Sequence, residues 1–262
     1  MNKNKKHLSK RSLALIAVAV LLFASGGFMG TRSALTIQSE NLDSHFELDH
    51  IFVQLLEGHD GTYTRVGKQD EAGGELIAYM KEESDKPVGH IDPGRIYDEH
   101  IAAKNETGTA DVSPVDQYLR IIVKKYWIDK DGNKDNTLDP SLIKLTYGNN
   151  EYNQGPWQKN SRESTTERET YYYTSVLKGQ EQTPDLFNRL QLDPKVLDDM
   201  TVTESDWVNG KKTYTYTYAY SGLRICIEAE VQALQTHSIN RAIKSVWGVQ
   251  NVSVSDGVLS VQ

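Results

Sequence analysis

The sequence predicts a mainly β domain, an antiparallel jelly-roll-like β-sandwich with one or two short helices and a polar insertion. Three observations predict it. Beyond residue 30 the hydrophobic period is two, and the apolar runs are short and separated by Gly, Asn, Asp and Pro. The chain also has a single cysteine, so a core of ordinary size and not a disulfide framework must hold it together. A leader at 1–30 precedes about 230 residues, a length that suits one large β domain or two small ones.

In the leader, five basic residues and no acid (Lys3, Lys5, Lys6, Lys10, Arg11) run into the apolar stretch Leu13 to Ala24. These are the charged and apolar regions of an export signal. The apolar part is about a dozen residues, short of the about 20 needed to span a bilayer. Ala24-Ser25-Gly26 supplies the small residues that a signal peptidase requires, so cleavage is expected. Counting Ser25 to Gly30 into the apolar stretch gives the alternative, an uncleaved anchor. Either way the chain from Thr31 onward is expected to be extracellular or at the cell surface. Losing the leader takes Lys+Arg from 29 to 24 against 36 Asp+Glu. So acidic a domain is repelled by nucleic acid and anionic lipid, which argues against a nucleic-acid partner and leaves membrane contact to the leader.

The elements follow in order. Strand patterns occur at Ala34 to Gln38 and Phe46 to Leu56. Gly58 to Thr109 is polar and reads as a surface elaboration with a weak helix at Gly73 to Glu83. Strands are predicted again at Tyr118 to Ile128 and Leu142 to Tyr147. A polar loop from Asn149 to Thr170, with Trp157 as its only large anchor, leads into a strand at Tyr171 to Leu177. TYTYTYAY, Thr213 to Tyr220, places Tyr214, Tyr216, Tyr218 and Tyr220 on one strand face. After a turn at Ser221-Gly222, LRICIEAEVQAL sets Ile225, Ile227, Ala229 and Val231 against Arg224, Cys226, Glu228 and Glu230. The two runs predict a long hairpin with one buried face. The tyrosines are expected to face the core or an intermolecular contact; stacking on sugar rings or lipid headgroups is the alternative. Ser238 is expected to cap a helix over INRAIKSVW that Gly248 ends, before a last strand region at Val249 to Val261.

Catalytic patterns are sparse. His45 and His50 lie in SHFELDHIF, but their spacing is i, i+5 with Phe46 where a zincin needs Glu, so no catalytic metal is expected. His59, His90, His100 and His237 have no paired spacing and read as surface or capping residues. Asp129, Asp131, Asn133 and Asp135 alternate as calcium ligands do. However, Lys134 stands where an EF-hand needs Gly and Pro140 where it needs Glu, so a hairpin turn is the stronger reading and any calcium would be structural. There is no GxSxG, and Cys226 sits by periodicity within a strand, where a lone thiol behaves as a small hydrophobe. Asp198-Asp199 and Glu228 with Glu230 read as solvated edges.

Four segments in order carry a resemblance: TRSALTIQSENLDSHFELDHIFVQLLEG after the leader, KNETGT with DQYLRIIVKKYWIDKDGNK, TTERETYYYTSVLKGQEQTPDLFNRLQLDP, and YTYAYSGLRICIEAEVQALQTHSINRAIKSVWG. The chain resembles the exported TasA and camelysin type surface proteins of Gram-positive bacteria over most of its length outside Gly58 to Ala103. The resemblance implies a jelly-roll sandwich, export through a dedicated signal peptidase, and assembly into biofilm-type matrix fibres or a surface layer. Its implied mode of self-association is addition of the mature N-terminal segment as a donor strand to a neighbouring subunit. On this chain the donor is Ala34 to Gln38, with Leu35 and Ile37 pointing into the neighbour. Ala34-Leu35-Thr36 stands where the best-known members have a Tyr-Phe-[ST]-Asp type stretch. The expectation is a noncatalytic structural protein. The alternatives are a camelysin-like cell-surface metalloprotease, for which no ligand set is visible in the sequence, and an adhesin or carbohydrate-binding module.

Overall fold

The computed structural model describes residues 52–67, 73–76, 91–204 and 214–262. The leader, the donor segment with Leu35 and Ile37, His45, His50 and His90 lie outside the described residues.

Fifteen strands are described: β1 (Val53–His59), β2 (Thr62–Arg65), β3 (Gly73–Glu75), β4 (Ile96–Asn105), β5 (Gln117–Ile128), β6 (Lys134–Asp135), β7 (Ile143–Thr146) and β8 (Trp157–Lys159), then β9 (Arg168–Tyr173), β10 (Phe187–Leu192), β11 (Met200–Glu204), β12 (Tyr214–Tyr218), β13 (Arg224–Gln235), β14 (Val252–Ser255) and β15 (Val258–Val261). Two antiparallel sheets dominate. One has the order β2-β1-β4-β10-β7; the other runs β3-β13-β5-β9-β8, with β6 paired to the end of β5. Alternate residues of both sheets meet in one core, including Leu55, Ile101 and Phe187 from the first and Leu119, Ile121, Trp157 and Tyr171 from the second. The fold is thus mainly β, with two antiparallel sheets packed on a shared core.

A third layer lies outside the second sheet. The α-turn α1 (Ile239–Ala242) continues as a π-turn over Ile243–Trp247, and Gly248, at φ 73°, ends it as expected. With the β14–β15 hairpin it covers Tyr118, Tyr172 and Leu234 through Ile239, Ile243, Trp247 and Leu259. β5 is therefore buried on both faces, which explains why QYLRIIVKKYWI is apolar at both parities. Ser238 differs from expectation. Its backbone is left-handed (φ 52°), its side chain makes no capping bond, and its carbonyl accepts from the amides of Arg241 and Ala242.

Several expectations are corrected. The tyrosine strand does not form a hairpin with the next strand: β12 pairs with β11, while β13 pairs with β5 through twelve consecutive residues. Ile225, Ile227, Ala229 and Val231 do face the core, and only a partner as long as β5 covers that whole face. The bend at Ser221-Gly222, with Gly222 at φ 75° and the Ser221 amide bonded to the Tyr218 carbonyl, redirects the chain between them. Gly73 to Glu75 is strand, not helix. A Cβ at Gly73 would stand 2.1 Å from the Ala229 carbonyl oxygen, so the residue is set for close backbone approach to β13. The stretch read as a polar elaboration after Gly58 supplies β4, the centre of the first sheet. Its polar residues Asp98 and His100 point outward, while Tyr97, Ile101 and Ala103 fill the core. The loop expected at 149–170 contains edge strand β8, whose Trp157 is fully buried and donates Nε1–H to the Pro184 carbonyl at 3.2 Å. The strand expected at 171–177 is β9, which begins three residues and ends four residues earlier.

Buried polar groups are tied into networks. Asn105 donates from Nδ2 to the Val115 and Leu177 carbonyls, and its Oδ1 accepts from Thr107 and Gln117, closing one pole of the sandwich. Between sheet and outer layer, Arg120 donates to Glu163 (3.0 Å), the Tyr172 hydroxyl (2.9 Å) and Gln232 (2.9 Å), and its guanidinium lies 5.1 Å from the Trp247 ring centre. Removing one partner of such a buried pair strands the other charge. Arg120→Ala should lower unfolding free energy by about 3 kcal/mol, read from urea titration with the denaturant slope unchanged.

Candidate functional site

Three features outside ordinary packing are candidates, and the first is a polar cluster on the outer face of the first sheet. The β1–β2 hairpin brings His59, Asp60 and Tyr63 beside Asp98 and His100 of β4 and Asp185 before β10. The His100 Nδ1 lies 2.7 Å from Asp185 Oδ2, and Nε2 lies 2.9 Å from Asp98 Oδ1. Tyr63 donates its hydroxyl to Asp185 Oδ1 at 2.5 Å, the Asp60 amide donates to Asp98 Oδ2, and His59 Nδ1 lies 2.9 Å from the Asp98 carbonyl oxygen. Gly58 permits the closure, because a Cβ there would meet the Tyr63 ring at 2.7 Å.

Ionised carboxylates only accept, so two of them on one imidazole require both ring nitrogens to carry protons. Burial by itself lowers the His100 pKa, but the hydrogen bonds and charges of Asp185 and Asp98 outweigh it, and the net shift is upward. At Asp98, burial pushes upward, and the Asp60 amide and His100 outweigh it to give a net downward shift. The Tyr63 pKa is raised by burial and by Asp185, so its phenol is held protonated. The cluster therefore ties the β1–β2 hairpin, β4 and the chain before β10 together as an ion-bonded clasp. It holds its protons and offers neither an activated hydroxyl nor a free imidazole base. Sequence spacing did not reveal it, because directly bonded partners are up to 122 apart in the chain and only register unites them.

Second, Glu57 and Glu99 point into the sandwich from adjacent strands and are almost wholly buried. Among the described residues neither carboxyl oxygen of Glu99 has a hydrogen-bond partner in good geometry, and its carboxyl interacts with that of Glu57. Burial, with the neighbouring Glu57 adding to it, pushes the Glu99 pKa up strongly, so this side chain is a neutral carboxylic acid at neutral pH.

Third, an apolar groove of about 300 Å³ opens at the pole where β5 and β10 end and β13 begins, lined by Trp127, Leu192, Val196, Leu197, Tyr218 and Tyr220 among others. The Tyr220 ring packs on Trp127 at 4.8 Å between centres. The other three residues of the predicted tyrosine face are not core: Tyr214, Tyr216 and Tyr218 are 51, 56 and 37 % exposed. They are exposed because, among the described residues, the strand pairs only with β11, in a two-stranded ribbon outside both sheets.

The remaining predicted residues fall as follows. Asp129 Oδ1 accepts from the Asp131 and Asn133 amides, and Gly132 at φ 87° completes a tight turn between β5 and β6. Asp135 caps Thr137 through its amide and hydroxyl. This is the hairpin turn expected of the segment. Among the described residues, no group of three or more His, Cys, Asp or Glu is placed to hold a metal ion. Cys226 is buried on the face of β13 opposite its core residues. His59 and His100, expected as unrelated surface residues, share Asp98 as a partner.

No protein-family model, curated protein or solved structure matches this chain.

Two outcomes follow from these geometries. The raised His100 pKa makes its contribution complete below the ordinary histidine value of 6.5 and lost as pH rises through the higher folded value. The lowered Asp98 pKa makes its contribution present above the ordinary 3.8 and lost as pH falls through the lower folded value. Melting temperature should thus decline on the alkaline side in the wild type and show less of that decline in His100→Gln; superimposable pH profiles would refute the clasp. At the β5–β6 turn, where Asp129 is engaged by backbone amides, wild type and Asp131→Ala should each melt identically with and without calcium. A calcium-dependent rise confined to the wild type would establish a bound ion.

Proposed function

We propose that this chain is an exported, noncatalytic structural protein of the cell surface or extracellular matrix, a fibre subunit whose segment at 34–38 adds as a donor strand to the next copy. The observation that carries the reading is the relation of the groove to the start of β1, the strand that follows the 34–38 segment in the chain. Phe52 precedes β1 at the pole where β4 ends and β5 begins, and the groove opens at the other pole, where β5 ends and β13 begins. Ten residues of β4 separate the poles, roughly 30 Å. A segment leaving one pole and docking at the far pole of a neighbour makes a head-to-tail contact, and contacts of that kind propagate as open filaments. Leu35 and Ile37, two residues apart, would present their side chains on one face of such a strand, suited to an apolar groove.

Electron microscopy tests this. Protein beginning at Gly27 should form filaments, and protein beginning at Asp43 should form none. The double variant Leu35→Asp, Ile37→Asp should also form no filaments, with an unchanged melting temperature. Filaments of normal length from that variant would overturn the donor-strand reading. Casein hydrolysis blocked by a chelator would replace it with the protease.

A further inference from the structure

The β11–β12 ribbon is unusual for an exposed element. Its register is unbroken from the Met200–Tyr218 pair to the Glu204–Tyr214 pair, and all ten residues are exposed. Isolated two-stranded ribbons are marginal in water, and exposed strands ordinarily carry charges, proline or bulges that keep other copies away. Here there is no proline or bulge, and the single charge, Glu204, lies at the last pair. Because directly paired residues share a face, Met200, Val202, Tyr214, Tyr216 and Tyr218 form one stripe with Glu204 at its end, and Thr201, Thr203, Thr215 and Thr217 form the reverse.

A wholly buried aromatic side chain covers about 150–250 Å², so three half-exposed tyrosines leave roughly 300 Å² of ring surface on one face. Met200, Val202 and the adjoining Leu197, each nearly half exposed, extend it to roughly 500 Å², the size at which surface patches mark interaction sites. The groove continues it, since Leu197 and Tyr218 belong to both. We infer that the tyrosine face of this ribbon is a homotypic contact, packing face to face against the same ribbon of a second copy. Charge selects that occupant. With 36 acidic against 29 basic residues, copies repel each other over most of their surface, and this stripe, whose one charge, Glu204, stands at its end, is where two of them meet with the least of that penalty. Area sets its strength: a stable interface takes about 800 Å² from each partner, so this patch alone gives a weak contact. It becomes effective between copies already held side by side, where effective concentration replaces intrinsic affinity. The inference thus extends the structural-protein reading by naming a lateral contact, distinct from the head-to-tail one.

Disulfide trapping tests it, because the only native thiol, Cys226, is buried. The full chain, recovered after export from an expressing host, carries either Tyr216→Cys on the tyrosine face or Thr215→Cys on the threonine face. Under mild oxidation Tyr216→Cys should form covalent dimers about tenfold faster than Thr215→Cys. Adding Leu35→Asp and Ile37→Asp should leave that ratio unchanged, so failure of the ribbon contact and failure of the donor strand are read separately. In sedimentation, Tyr216→Lys should weaken self-association of the chain with those two aspartates by about 30-fold without changing its melting temperature. Equal trapping from both faces, or sedimentation unaffected by Tyr216→Lys, would overturn the proposal. So would quenching of the tyrosine fluorescence by a neutral oligosaccharide with no preferential trapping, which would assign the stripe to a glycan.

Discussion

The rest of the fold hangs on the twelve-residue pairing of β5 with β13. These strands form the wall between two hydrophobic compartments: Leu119, Ile121, Ile227 and Val231 face the inter-sheet core, and Tyr118 and Leu234 face the outer layer. A shift of one residue in this ladder would turn every side chain to the wrong compartment, so both cores enforce the same register. The remaining strands attach in sequence. β9 reads its register from β5, β8 from β9, and β3 from the free side of β13.

Charge is admitted to the interior only in company. Lys125 points inward from β5, and burial lowers its pKa, while Glu169 at 3.6 Å opposes the shift. Glu169 also binds Lys159, which pairs with Glu151, so the network reaches the surface at the β8 edge. The Glu57–Glu99 pair follows a different rule. Glu99 is rid of its charge by a proton, which a carboxyl can accept in a low-dielectric site far more readily than a lysine can lose one into the same neighbourhood of carboxylates.

How much of this was legible in the chain depended on distance along it. β5 and β13 could be read almost to the residue, because alternation over a dozen positions is a local property. The turn at Asp129 to Asn133 and the helix stop at Gly248 were equally local. Pairing was not. β12 has the composition of a core strand and lies outside the core, since Tyr and Thr satisfy a ribbon as well as a sheet interior. β4 was hidden because DEHIAAKN opens on the adjacent acids Asp98 and Glu99, which break the alternation, and has small alanines within, a weak signal for the middle of a sheet. The clasp around His100 was invisible for the same reason: it depends on the register of β1 against β4 and on Asp185, none of which spacing encodes.

The outer layer has a consequence for how the molecule comes into being. Tyr118, Tyr172 and Leu234 are covered by side chains from 239–261, and the Leu259 amide bonds to the Thr174 carbonyl. While a ribosome is still adding that stretch, the second sheet has a naked greasy side and β5 lacks its second wall. Contacts between residues more than a hundred positions apart must also close before either compartment is sealed, which makes such β topologies slow to fold. A nascent chain of this design cannot seal its outer compartment until its last twenty-odd residues are in place.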